Sequence, residues 1–191
     1  ALTSTGRDAN DANAFSIDWK GTFATARGHN GANVVLGVKH LGSKYLRLYH
    51  FTSASTANAI TAIDDFRNHM ATKFGVTLSR CLMDRDSTFV SPQFTRHLES
   101  VYINPDFGGA EDHWELGSIE SLWRRWACFI ISALKAAGLD ETFWGFASEM
   151  FEELHNALPH AGNAESMSPL AVLGQSPPDL KYLRAPFCPA Y

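Results

Sequence analysis

The sequence is poor in charge. Only 19% of its 191 residues are Asp, Glu, Lys or Arg, below the roughly 25% of an average soluble chain. Part of its surface is therefore expected to be covered. It also has no excess of positive charge: 16 Lys and Arg against 20 Asp and Glu leave a net charge of −4. That excludes a strongly basic nucleic-acid binder while leaving room for a local basic patch. No apolar run approaches the ~18 residues of a membrane span. The opening ALTSTGRDANDAN has no apolar stretch of the kind a signal peptide needs. The first residue is Ala rather than Met, so processing or excision from a longer chain is expected. Cysteine is scarce. Cys81, Cys128 and Cys188 lie far apart, with no Cys-x-x-Cys pair, so a structural zinc site of the usual spacing is excluded. The odd count fits a reducing compartment, with the thiols acting as small hydrophobes. Internal repeats and low-complexity blocks are absent as well.

What is present is a globular pattern. Apolar residues make up 45% of the chain, too many for general disorder. The length fits one domain with a full hydrophobic core. Residues 1–13 read as a flexible lead-in, 14–158 as the core domain and 159–191 as an irregular extension holding six of the eight prolines. AFSIDWK (14–20), NVVLGVKH (33–40) and KYLRLYHF (44–51) read as strands, the last two joined as a hairpin. Ile60, Ile63, Phe66, Met70 and Phe74 then recur at helical spacing up to Gly75. VTLSRCLMD (76–84) reads as a fourth strand. Ser91-Pro92 opens a short helix, and VYIN (101–104) reads as a fifth strand. The loop 105–117 follows. Ser118 is expected to cap a long helix through Ala137, and Asp140 a second helix over 141–157.

Three hairpin-linked strands followed by strands alternating with helices predict an α/β fold. The expected architecture is a five-stranded mixed sheet with helices on both faces and a Pro-rich C-terminal arm. This order matches the ribonuclease H-like arrangement, an analogy at the level of fold alone. In such a sheet the first and fourth strands are neighbours, and the helix after the fifth strand packs over their ends. Asp18, Asp84 and Glu120 would then converge. Bare carboxylates that share a site repel unless a cation stands between them, and hard oxygen ligands select Mg²⁺ or Mn²⁺. Asp86 competes with Asp84 for the second position. An acidic residue at a strand end is also commonly just solvated.

Between Asp84 and Glu120 lie 35 residues, positions 85–119. Around them SIDWKGTF (16–23), CLMDRDSTFVSPQFTRHL (81–98) and WELGSIESLWRRW (114–126), followed by AAGLDETFWGFASE (136–149) and MSPLAVLGQSPPDLKYLRAPFCPAY (167–191), resemble in order the segments of retroelement integrase catalytic cores. The copia-type retrotransposon polyprotein is the nearest in pattern, and the resemblance runs from about residue 14 to 191. It departs from the family at several places. Gly21-Thr22 stands where the family has Gly-Pro, Arg85-Asp86 where it has Asn-Gly, and Thr88 where it has Glu. Glu115-Leu116 replaces Gln-Asn, and Ser121 replaces the Arg after the Glu.

The resemblance implies a polynucleotidyl transferase and endonuclease that processes DNA 3′ ends and joins them to target DNA. It implies two Mg²⁺ or Mn²⁺ ions held by Asp18, Asp84 and Glu120, and no zinc site in this stretch. Implied partners are the element's DNA ends, target DNA, further copies of the chain, and the reverse transcriptase, protease and zinc module of the same polyprotein. Action would be in the nucleus, preceded by a cytoplasmic particle, with no membrane. Trp114, Arg124 and Arg125 are the candidate DNA contacts, although an Arg pair on a helix is often simply its wet face. Trp123, Trp126 and Trp144 fit core positions better. A scaffold of the same fold without catalysis is the second expectation.

Overall fold

The computed structural model describes residues 11–21, 28, 31–108, 113–176 and 187, with side chains in the long third helix described from residue 119 onward. Residues 1–10 of the expected lead-in, and the extension beyond 176 apart from Phe187, lie outside the described residues.

Five strands form one mixed, open sheet in the order β3-β2-β1-β4-β5. β1 (Ala14–Lys20), β2 (Val34–His40) and β3 (Leu46–Phe51) run as an antiparallel meander. β4 (Arg80–Met83) joins β1 in parallel, and β5 (Asn104–Phe107) joins β4 in parallel. The two parallel steps require crossovers. α1 (Thr56–Phe74) supplies the first and α2 (Pro92–Ser100) the second. α3 (His113–Ala137), α4 (Trp144–Ala157) and the short α5 (Pro169–Val172) follow.

Local signals set these ends. The Ser55 side chain accepts from the Asn58 N–H, and Gly75, at φ 67°, closes α1 in the left-handed conformation that glycine adopts without a Cβ penalty. Ser91 caps α2, with Pro92 at the first helical position.

Several boundaries differ from the sequence expectation. The fourth strand starts at Arg80, not 76, because the chain leaving Gly75 first hangs on the edge of β1, with the Ser79 N–H donating to Asn13 O (2.8 Å). The fifth strand is Asn104–Phe107, not 101–104. Val101 and Tyr102 form a turn, with Tyr102 at φ 60°, and the Ile103 N–H returns to Leu98 O (2.8 Å). Pro105 is compatible with a strand here because β5 is an edge. α3 begins at His113, so Ser118 lies within it rather than capping it, and Glu120 lies beyond its first turn. The dipole of a helix N-terminus therefore does not act on Glu120 as strongly as a first-turn position would imply. Among the described residues of the extension are a single 3-10 turn over Ala164–Ser166 and the short helix α5, capped by Ser168.

Alternation along the strands splits the core. Phe15 and Ile17 of β1, and Leu36 and Val38 of β2, pack under α1 and α2 with Ala59, Ile63, Phe66, Met70, Phe94 and Leu98. The other face holds Val35, Leu46 and Leu48 against Leu122, Trp123, Trp126 and Ile130 of α3 and Trp144, Ala147 and Phe151 of α4.

α4 also covers the β3 edge. Residues 46, 48 and 50 of that strand point their groups away from β2. Asn156 accepts from the Leu46 N–H (2.9 Å) and donates to Leu46 O (2.8 Å). Glu152 accepts from the Leu48 N–H (2.6 Å), and Ser148 bonds the His50 ring (2.8 Å). Spaced four apart, the three side chains line one stripe of the helix. An edge that would otherwise invite strand addition is thereby satisfied internally.

Candidate metal and nucleic-acid site

Asp18 sits near the end of β1 on the α3 face of the sheet. Its partner across the β1–β2 ladder is Gly37. The missing side chain at Gly37 leaves room for the Trp123 ring: a Cβ there would stand 2.9 Å from two ring carbons, closer than real contacts allow. The Trp123 Nε1–H then donates to Asp18 Oδ2 at 2.8 Å. The ring is only 4% exposed. Trp126 packs edge-on against it at 5.6 Å, and Trp144 edge-on against Trp126 at 6.1 Å. Trp126 itself donates to Ser148 Oγ at 2.9 Å. The expectation that these three tryptophans belong to the core is met, but Trp123 does more than fill space. Its indole N–H reaches a candidate metal ligand 105 positions away. Nothing in the local spacing signals that bond; an N–H that needs a partner once buried was the only clue.

Asp84 follows directly after β4. The parallel register sets Ser16 beside Leu82, so two residues further along Asp84 comes alongside Asp18. The Asp84 charge acts on Asp18. Burial pushes the Asp18 carboxyl up to about 6, the Trp123 hydrogen bond pulls it down, and the Asp84 charge raises it. Asp84 is exposed, and its Oδ1 accepts the Asp86 N–H at 3.0 Å. Asp86 is used differently: its Oδ1 accepts the Thr88 N–H (2.8 Å) and the Thr88 hydroxyl, which ties it into the turn before α2. Of the two competing aspartates, Asp84 is the one whose charge acts on Asp18.

Glu120 lies on α3 three residues before Trp123, on the same side of the helix, and is exposed. Among the described residues, no group of three or more His, Cys, Asp or Glu side chains is placed to hold a metal ion. Asp18 and Asp84 are thus brought together, and Glu120 is not gathered with them.

The candidate nucleic-acid contacts fall on α3. Trp114 is in its first turn rather than in a loop, and its side chain lies outside the described residues. Arg124 and Arg125 are exposed. The Arg125 charge also reaches inward. It helps burial and Lys44 lower the Lys39 ammonium to about 7, and it adds to the lowering of His155 (to about 3) and His160 (to about 4), where burial is the main cause. Lys39 faces α3 two positions along β2 from Gly37 and pairs with Ser16 across the ladder. One side of the sheet therefore carries carboxylates at one end and, further along, a cluster of basic side chains in which burial holds the two histidines neutral. Lys39, Lys44, His155 and His160 come from distant segments, so no local pattern links them.

No family model matches the chain, and no curated protein matches it in sequence. No described helix is long and apolar enough to cross a membrane.

Proposed function

We propose that this chain is the catalytic core of a copia-type retroelement integrase, a ribonuclease H-like domain that performs metal-dependent DNA 3′-end processing and strand transfer. The observation that carries the reading is the placing of Asp18 and Asp84 by the neighbouring parallel strands β1 and β4, where the Asp84 charge raises the Asp18 carboxyl. Two like charges this close favour a cation between them. The strand order β3-β2-β1-β4-β5, the 35 residues between Asp84 and Glu120 and the packing of α3 over Asp18 support the same reading.

In this reading Asp18, Asp84 and Glu120 hold Mg²⁺ or Mn²⁺. When bound, two such ions would supply Lewis acidity to the attacking and leaving oxygens of an in-line displacement at phosphorus. The rest falls to the protein's own groups. Trp123 orients Asp18. Asp84 offers an exposed carboxylate beside it. Glu120 completes the set from α3 when DNA and metal are present. Arg124 and Arg125 contact DNA phosphates, and Trp114 contacts the DNA beside them. DNA ends and target DNA are the substrates, further copies of the chain assemble on them, and reverse transcriptase, protease and zinc module are supplied by the rest of the polyprotein.

A calorimetric Mn²⁺ titration of the chain and of Asp84→Asn tests this. Saturable binding by the wild type that the variant loses is expected, and joined DNA products in a strand-transfer assay should follow it. A wild type that binds no Mn²⁺, with or without DNA ends, overturns the reading.

A second reading is favoured by the exposed Glu120 and by the lack of a three-member group among the described residues. In it the domain is a nucleic-acid-binding scaffold of integrase descent without catalysis. DNA binding that survives both Asp84→Asn and chelation of divalent ions would select it.

A further inference from the structure

Asp18 is held unlike an ordinary strand-end carboxylate. One of its oxygens is taken by an indole that has nowhere else to go. Trp123 is wedged between the bare backbone of Gly37 and the edge of Trp126, and rotating it away would open a cavity in the second core cluster. Its N–H therefore points at Asp18 Oδ2 by packing, not by choice among rotamers. A donor fixed in this way favours the ionised carboxylate, and it does lower the Asp18 pKa against the push of burial. The Trp19 backbone also bonds the carboxylate, so Asp18 is oriented from two sides.

We propose that Trp123 is a positioning residue for cation binding: its indole N–H fixes the orientation of the Asp18 carboxylate, and Gly37 is the residue that admits the ring. This rests on the integrase-like reading of the Asp18–Asp84 pair. It adds to that reading a three-residue device, Gly37–Trp123–Asp18, built from β2, α3 and β1. Hydrogen-bond partners behind a metal ligand commonly change metal affinity by about 10–100-fold when removed, and the same range is expected here.

Two readouts separate the proposal from the reading beneath it. The first is the Trp123 indole ¹⁵N–¹H resonance, which reports the hydrogen bond without any metal. It should be protected from solvent exchange and should shift on Asp18→Ala. The second is Mn²⁺ affinity by calorimetry for the wild type, for Trp123→Phe, and for a chain carrying β-(3-benzothienyl)alanine at 123. That analogue keeps the indole's shape and replaces its N–H with sulfur, so it remains informative if Trp123→Phe loosens the core. Affinity weaker by about 10–100-fold in both variants, in proteins with unchanged circular dichroism, is the expected result. Wild-type binding with unchanged affinity in the analogue overturns the proposal and leaves the integrase-like reading standing. A protected indole signal in a wild type that binds no Mn²⁺ overturns that reading and reduces Trp123 to a packing residue. An indole that exchanges freely and ignores Asp18→Ala overturns the proposal whatever the metal does.

Discussion

The two faces of one sheet have been built by different rules. On β1, Phe15 and Ile17 turn towards α1, while Ser16 and Asp18 turn towards α3. Under α1 and α2 the interior is apolar, with ring contacts such as Phe15–Phe66 at 5.8 Å. Among its polar groups, the Tyr49 hydroxyl donates to Asp65 at 2.7 Å. Under α3 and α4 the same sheet buries or half-buries Asp18, Lys39, Glu152 and His155 alongside three tryptophans. The first face illustrates how apolar area alone holds a helix to a sheet. The second shows what a site costs: charged groups taken from water and kept in place only by specific partners.

This difference can be broken or sharpened by experiment. The largest stability effect should come from the dry face. Phe66→Ala should cost about 3–5 kcal/mol by denaturant unfolding, with the same loss at pH 5 and pH 8. A loss that varied with pH would mean that the dry face is not electrically silent.

Asn156→Ala should cost about 2–3 kcal/mol, because it strips both partners from the Leu46 backbone. It should also promote self-association in light scattering, since the β3 edge is no longer capped. A monodisperse, fully stable variant would show that the cover provided by α4 is dispensable.

A smaller and pH-dependent effect is expected at Glu152. Burial, opposed by the Leu48 N–H and Arg47, raises its carboxyl from the ordinary 4.5 to about 7. The raised group makes its full contribution to folding below pH 4.5 and loses it as pH climbs through 7. Glu152→Gln keeps an acceptor for Leu48 and removes the titration. Between pH 5 and pH 8 the variant should therefore gain on the wild type by on the order of 2 kcal/mol. A constant difference across that range would place the Glu152 charge in solvent.

How much of this was legible in the sequence follows from the range of each signal. The periodicity of Ile63, Phe66 and Met70 and the caps Ser55, Gly75 and Ser91 act within a few residues, so α1 and α2 fall where the pattern puts them. The fifth strand was misplaced because Val101 and Tyr102 have strand-like side chains but close the end of α2. Asn104 and Pro105 have poor strand propensity but lie beside β4. There, backbone pairing across the sheet overrode local preference. Ser118 has the chemistry of a cap, yet α3 starts at His113 and continues through it.

The candidate site divides in the same way. Asp18 and Asp84 could be nominated from their positions at strand ends, and the choice of Asp84 over Asp86 was open until Asp86 was seen bonded to Thr88. Trp123 could be read as core from its spacing along α3. Its bond to Asp18, and the need for glycine at position 37, could not be read, because they depend on the β1–β2 register and on where α3 crosses it.

By itself, the sequence determined the alternation that gives β1 two unlike faces, the helical stripes of α1 and α3, and the residue types available for chemistry. These are properties of neighbours along the chain, set by backbone geometry and solvent transfer. Only the tertiary structure decided which carboxylates meet, which indole holds Asp18, and which helix closes the β3 edge. Those contacts join residues about 60 to 110 positions apart, and no periodicity reaches that far. They exist because four strand registers, the packing of two helices and one missing side chain bring them together.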